Sequence, residues 1–294
     1  GDVPRTRVLG TGLMKGGTTA IVQALGAAAW NLSMGFDCDS IQVPVIRQVT
    51  AREAPLERVL DDCFDEIFRW ELSKDSALTP LARRLSQAWP ALSKHGEGLR
   101  LYFVARSPVD STRSFLAHMG LNTRVESEED QLFAWAAGRM PKRFVRGKQE
   151  YLDVTAHGLR YSGFVDALVQ RWALVVDEYL KCPRDFVLVR YEDFALDPVR
   201  ETRRLLDALG YAHLWSKGAE ERVRLVSKVQ YQTKSDSSRT PEEVFGPAML
   251  SRLVVAVNSR MELLGYGPLI PAVKAPPTDW PPIDMPPMPS AETC

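Results

Sequence analysis

The chain lacks an excess of either charge. Across 294 residues, lysine plus arginine and aspartate plus glutamate both number 37. Whole-molecule electrostatics therefore give no argument for a nucleic-acid partner or an anionic membrane surface, and any anion site must be local. Cysteine is scarce as well. Cys38, Cys63, Cys182 and Cys294 show no metal-ligand spacing and are too few for a disulfide framework. Free thiols in a reducing compartment are the expectation, with one disulfide as the alternative. There is no internal repeat, no apolar run near the ~20 residues of a membrane span, and no signal-peptide pattern at the start. The first residue is Gly1 rather than Met, which leaves room for a targeting or anchor segment ahead of it. With 45% hydrophobic and 25% charged residues, the composition is that of a soluble globular protein, expected in the cytoplasm.

What is present reads as strands alternating with helices. Arg7 to Gly10 is a short apolar strand, followed by a glycine-rich turn and a helix from Thr18 to Trp30. Ser40 to Val49 is β-branched and reads as a second strand. Apolar steps of three and four residues through Leu56, Val59, Leu60, Phe64, Ile67 and Phe68 predict an amphipathic helix over Ala54 to Leu72. A further helix spans Leu78 to Leu92. Leu99 to Ala105 is nearly continuous in apolar residues, as in a buried parallel strand, and opens at Arg106-Ser107-Pro108 into a helix. Phe186 to Val189 repeats the pattern, and long helical stretches cover Gly163 to Leu180, Val199 to Leu209 and Pro247 to Leu264. Strands separated by helices predict an α/β fold with a central parallel sheet covered on both faces. One domain over residues 1–268 is expected. Beyond it, residues 269–294 are proline-rich and read as an extended arm over the surface or a disordered tail. Five basic residues between Arg139 and Lys148 form either a solvated face or an anion-binding wall.

The run Gly10-Thr-Gly-Leu-Met-Lys15-Gly16-Gly17-Thr18-Thr19 lies between a strand and a helix. Free backbone N–H groups and the helix dipole favour phosphate there, and the threonines add hydroxyl donors. A nucleoside triphosphatase loop places its lysine after the last glycine. Here Lys15 precedes Gly16 and Gly17, an inverted order that resembles the 5'-phosphosulfate loop of sulfotransferases, Lys-x-Gly-Thr-Thr. Arg106 ends a strand and Ser114 follows eight residues on, about two helical turns, so that both can face one anion. This spacing is similar to the family's 3'-phosphate site. Tyr191-Glu192-Asp193 followed by Asp197-Pro198 is similar to the element whose tyrosine lies against the adenine.

Two further stretches resemble the tyrosylprotein branch of these enzymes. Ser73-Lys74-Asp75-Ser76 is similar to its Asn-Lys-Asp-Pro segment, whose lysine contacts the transferring sulfuryl group. Asp37-Cys-Asp39-Ser-Ile-Gln-Val-Pro44 is similar to a segment whose second glutamate is the proposed general base, and that glutamate aligns with Asp39. His118 falls where the family places a further cofactor-binding basic residue and is equally a candidate base. Lys234 and Ser235 stand in the late basic loop that completes the 3'-phosphate site in the family. Met14 replaces the usual proline, Asp39 is shorter than glutamate, and no cysteine precedes Lys74.

The resemblance implies a P-loop-like sulfotransferase fold and transfer of a sulfuryl group from 3'-phosphoadenosine 5'-phosphosulfate (PAPS) to a hydroxyl or amine. It implies 3'-phosphoadenosine 5'-phosphate (PAP) as product and no required metal. Overall neutrality points to a small-molecule acceptor. The alternatives are a nucleotide kinase or ATPase with a degenerate phosphate loop, and a nucleotide-binding module without transferase activity.

Overall fold

The computed structural model describes residues 6–13, 15–36, 48–49, 51–93, 97–118, 157–161, 164–232, 240–267 and 282–289. The chain forms two compact units, each built from two stretches of sequence: Gly1–Arg106 with Cys182–Thr233, and Ser107–Lys181 with Lys234–Cys294. The sequence pointed to one domain, and its expected boundary at 268 lies outside the described residues.

In chain order, the first unit opens with β1 (Arg7–Gly12), α1 (Thr18–Ala28), β2 (Met34–Phe36), α2 (Glu57–Asp62), β3 (Leu72–Lys74), α3 (Ala82–Leu92) and β4 (Leu99–Ala105). The second unit then contributes α4 (Pro108–His118) and α5 (Phe164–Leu180). The first resumes with β5 (Phe186–Arg190), α6 (Tyr191–Leu196), α7 (Pro198–Ala208) and α8 (Ala219–Gln232), and α9 (Pro241–Leu263) belongs to the second.

Among the described residues the five strands lie in one parallel sheet of order β2-β3-β1-β4-β5, in keeping with an α/β fold. Parallel strands must be covered on both faces, and alternate side chains serve opposite faces. On one face Val8, Tyr102, Val104 and Val189 join Ile21 and Leu25 of α1, Leu206 of α7 and Val223 of α8 in one buried cluster. Leu9, Leu101 and Phe103 take the opposite face, where α3 packs on β4 with Leu85 and Trp89 buried. Each such fully buried side chain is worth about 1.5–3 kcal/mol, and a one-residue slip would send each to the opposite face and undo its packing, so the register is strongly fixed.

Two sequence expectations change here. The amphipathic helix expected over Ala54 to Leu72 is cut short. After α2 the chain makes a π-helical turn at Phe64–Phe68 and then enters the sheet as β3. Leu72 pairs with Val8 and Met34 on its two sides, and this burial overrides the helical spacing that includes it. The second strand along the chain is Met34–Phe36, upstream of the expected Ser40 to Val49. Of that segment, residues 40–47 lie outside the described ones, and Gln48 and Val49 are helical.

A further correction concerns the thiols. Cys182 is disulfide-bonded, with its partner outside the described residues, while Cys63 is a free buried thiol. A disulfide is uncommon in reducing compartments, so the cysteines no longer support a cytoplasmic location. Among the described residues no helix is long and apolar enough to cross a membrane.

In the second unit, α9 packs on α4 and α5. Its N-terminus carries a capping box, with Thr240 accepting from the Glu243 N–H and the Glu243 carboxylate accepting from the Thr240 N–H. A kink follows at Gly246 (φ 71°) just before Pro247, which explains why helical periodicity alone placed the start at Pro247. Two buried ion pairs join α9 to α5. Arg252 Nη2 donates to Asp166 Oδ2 at 2.7 Å, and Arg260 donates through Nε and Nη2 to both oxygens of Asp177 at 2.8 and 2.9 Å.

Residues 282–289 have no regular secondary structure and lie on this unit with Ile283 buried. Asp284 Oδ2 accepts from the Arg160 N–H at 2.8 Å, and Gln170 Nε2 donates to Asp284 O at 2.7 Å. Arg260 Nη2 donates to Pro286 O at 2.6 Å. This part of the proline-rich stretch is therefore an extended arm, one of the two forms its composition allowed.

Burial pushes the Asp177 carboxyl above its ordinary value of 3.8, ahead of the opposing pull of Arg260 and Lys181. Replacing Arg260 by methionine removes that pull and leaves a buried carboxylate without its partner, a change that costs about 3–5 kcal/mol near neutral pH. A group whose folded-state pKa is raised contributes its stability fully below the unfolded value and loses it as pH climbs through the folded one. The deficit of Arg260→Met against wild type will accordingly shrink toward pH 4 and grow toward pH 7.5. Urea unfolding at the two values checks this, and a deficit independent of pH would refute it.

Candidate functional site

Ligands of open parallel sheets bind outside the carboxyl ends of the strands. Here that edge carries a cation on each of the three central strands, all within the first unit. Lys15 follows β1, Lys74 is the last residue of β3, and Arg106 is the residue after β4. Because β1 lies between β3 and β4, Lys15 belongs to the middle of the three.

The loop between β1 and α1 owes its shape to positive-φ residues. Gly12 has φ 138°, and a Cβ there would come 2.6 Å from Val104 O, so only glycine fits beside β4. The Gly16 N–H donates to Leu13 O at 2.8 Å. Between them Lys15 lies in a turn and has φ 66°, a left-handed conformation that glycine or asparagine usually fills. Holding a lysine there costs roughly 1–2 kcal/mol. Strain of this kind concentrates where function requires a particular side chain.

Gly17, with φ 100°, is the N-cap of α1. It offers no side-chain cap, and the first turn has no acidic residue. The positive end of an 11-residue helix thus faces the loop without local neutralisation. Thr18 is buried and Thr19 half-buried in this first turn.

Arg106 fixes the loop from the β4 side, with Nη1 donating to Lys15 O at 2.8 Å. Its Cζ lies 4.6 Å from the centre of the Tyr191 ring, a cation–π contact. Tyr191, the first residue of α6, is 5% exposed and presses so closely on Gly17 that any Cβ there would fall within its ring. Tyr191 thus packs against the loop from the α6 side. At the end of the neighbouring strand, Arg190 pairs with Asp193 at 2.6 Å.

From the β3 side, Lys74 stands in register with Gly10 and is 5% exposed, a rare burial for lysine. The next residue, Asp75, is also buried. Its N–H donates to Gly10 O at 2.9 Å, and its Oδ1 accepts from the Ala77 N–H at 2.7 Å.

Of the residues singled out in the sequence, Lys15, Gly16, Gly17, Thr18, Thr19, Lys74, Arg106 and Tyr191 therefore stand at one edge of one sheet. Ser114 and His118 are on α4 of the second unit. Asp39, Lys234, Ser235 and the basic segment Arg139 to Lys148 lie outside the described residues.

Sequence reasoning missed Thr79. Its place before Pro80 signals only a helix start, and nothing local indicates that its hydroxyl reaches Gly12, 67 residues away. No protein-family model matches the chain, and no curated protein matches its sequence.

Proposed function

We propose that this protein is a sulfotransferase that takes its sulfuryl group from PAPS and passes it to a hydroxyl or amine of a small-molecule acceptor. One observation carries the proposal. A lysine held in a left-handed turn precedes a glycine-threonine helix start, and the strands on both sides of β1 contribute Lys74 and Arg106 at the same edge. That order of lysine and glycine distinguishes the loop from the nucleoside triphosphatase type.

In this proposal the acceptor's lone pair attacks sulfur in line. The bond from sulfur to the 5'-phosphate oxygen breaks, and PAP departs with the electron pair. Charge spreads over the leaving and non-bridging oxygens, so positioned cations supply most of the stabilisation. Lys15 and the first-turn amides of α1 stabilise the leaving phosphate, and Lys74 stabilises the sulfuryl oxygens. Arg106 fixes the loop and contributes positive charge toward the 3'-phosphate, with Ser114, Lys234 and Ser235 assigned to the same phosphate. Asp39 or His118 receives the acceptor's proton.

PAP binds only the folded site, so it will raise Tm by linkage. A hundredfold excess over Kd corresponds to about 2.7 kcal/mol and a shift of about 5 °C or more. Differential scanning fluorimetry with PAP, and with ATP and magnesium as the comparison, tests this directly. A shift with ATP alone would favour a kinase or ATPase, and no shift with millimolar PAP would remove the nucleotide site. Mass spectrometry of a metabolite extract incubated with protein and PAPS would then find the acceptor by its gain of one sulfuryl group.

A further inference from the structure

We infer that Thr79 is a positioning residue for this site, clamping the Lys15 loop to the turn that follows Lys74; the inference rests on the proposed nucleotide site. Thr79 is 1% exposed and opens the short 3-10 turn Thr79–Leu81 that leads into α3. Its Oγ1 accepts from the Gly12 N–H at 3.1 Å. Its single hydroxyl proton is shared between two carbonyl acceptors, Gly12 O at 3.1 Å and Ser76 O at 2.9 Å.

One hydroxyl thus holds both polar groups of the residue where β1 becomes the loop, and also holds the turn two residues beyond Lys74. The other side of Gly12 is closed by Val104. The Asp75 N–H donation to Gly10 O adds a second tie between the same segments. The spacing between the backbones bearing Lys15 and Lys74 is therefore fixed by buried hydrogen bonds. A site that must meet a leaving phosphate and a transferring sulfuryl group together needs that spacing held.

Valine has the shape of threonine without the hydroxyl. Thr79→Val keeps the branched shape but puts a methyl where the hydroxyl was, so the Gly12 N–H, the Gly12 carbonyl and the Ser76 carbonyl lose this partner. It is expected to weaken PAP binding by about tenfold or more and to speed exchange of the Gly12 amide by at least as much, with a smaller change in the Tm of the unliganded protein. Thr79→Ser, which keeps the oxygen, is expected to restore both. Calorimetric titration with PAP and site-resolved hydrogen exchange supply the two readouts. Wild-type PAP affinity together with wild-type Gly12 exchange in Thr79→Val would overturn the assignment.

If the valine variant does not fold, the wild-type protein still decides. Slow exchange at Gly12, whose N–H bonds to a side chain, supports the clamp, and fast exchange there overturns it. Failure of wild type to bind PAP would remove the nucleotide site, whereas Gly12 exchange reports on the clamp independently of any ligand.

Discussion

Lys15→Ala is expected, on the proposed function, to lower sulfuryl transfer by at least about 10²–10³-fold, the scale on which removal of one preorganised donor to a developing anion lowers turnover. The loss falls on chemistry and nucleotide affinity rather than on folding. Lys15 is half-buried, and its structural link to Arg106 runs through the backbone carbonyl, which alanine keeps. Far-ultraviolet circular dichroism and the unfolding midpoint will therefore stay close to wild type. The Tm rise with PAP will shrink, and sulfated product in the extract assay will fall below detection. Arg106 cannot substitute, because its Nη1 is committed to the Lys15 carbonyl and its plane to Tyr191. Near-wild-type product formation in this variant would refute the role given to the lysine.

The second large effect is expected at Gly17. Alanine there meets two independent penalties. A left-handed backbone at φ 100° costs roughly 1–2 kcal/mol, and intrusion of the new methyl into the Tyr191 ring adds about 1–3 kcal/mol of overpacking. Together they predict about 2–5 kcal/mol of destabilisation in urea unfolding, with loss of PAP binding as the loop is displaced. The two parts can be separated, because only the steric one needs the ring. In Gly17→Ala/Tyr191→Ala the methyl gains space, so the double variant will be more stable than the sum of the single effects implies. Strict additivity would mean that the ring and the glycine are not in contact.

Much of this geometry was legible in the chain itself. The nearly continuous apolar run Leu99 to Ala105 predicted β4 with its observed bounds, and the glycine-threonine turn predicted where α1 begins. These signals are local: an apolar strand ending at a proline-initiated helix, and a helix start announced by glycine. Leu72–Lys74 was absorbed into a helix because three residues are too short to display a period of two, and their strand character comes from neighbours 38 and 64 positions away, Met34 and Val8. Thr79 was hidden for the same reason, since its partners belong to a different segment. The packing of Tyr191 against Gly17 could not be read either. The sequence places an aromatic at a strand end, but only the fold decides whether the ring faces a ligand or a loop. The choice of base between Asp39 and His118 was not legible either: the resemblance aligns Asp39 with a general base and His118 with a cofactor-binding basic residue that is equally a candidate, and Asp39 lies outside the described residues.

The arm at residues 282–289 bears on how the boundaries of this protein are drawn. A stretch so rich in proline invites trimming, and composition alone would mark it as dispensable. Yet its main chain supplies acceptors to Gln170 and Arg260, and Ile283 fills a buried position. Cut away, it would strip one acceptor from each of Gln170 and Arg260, and the second unit would present a fresh sticky seam along α5 and α9.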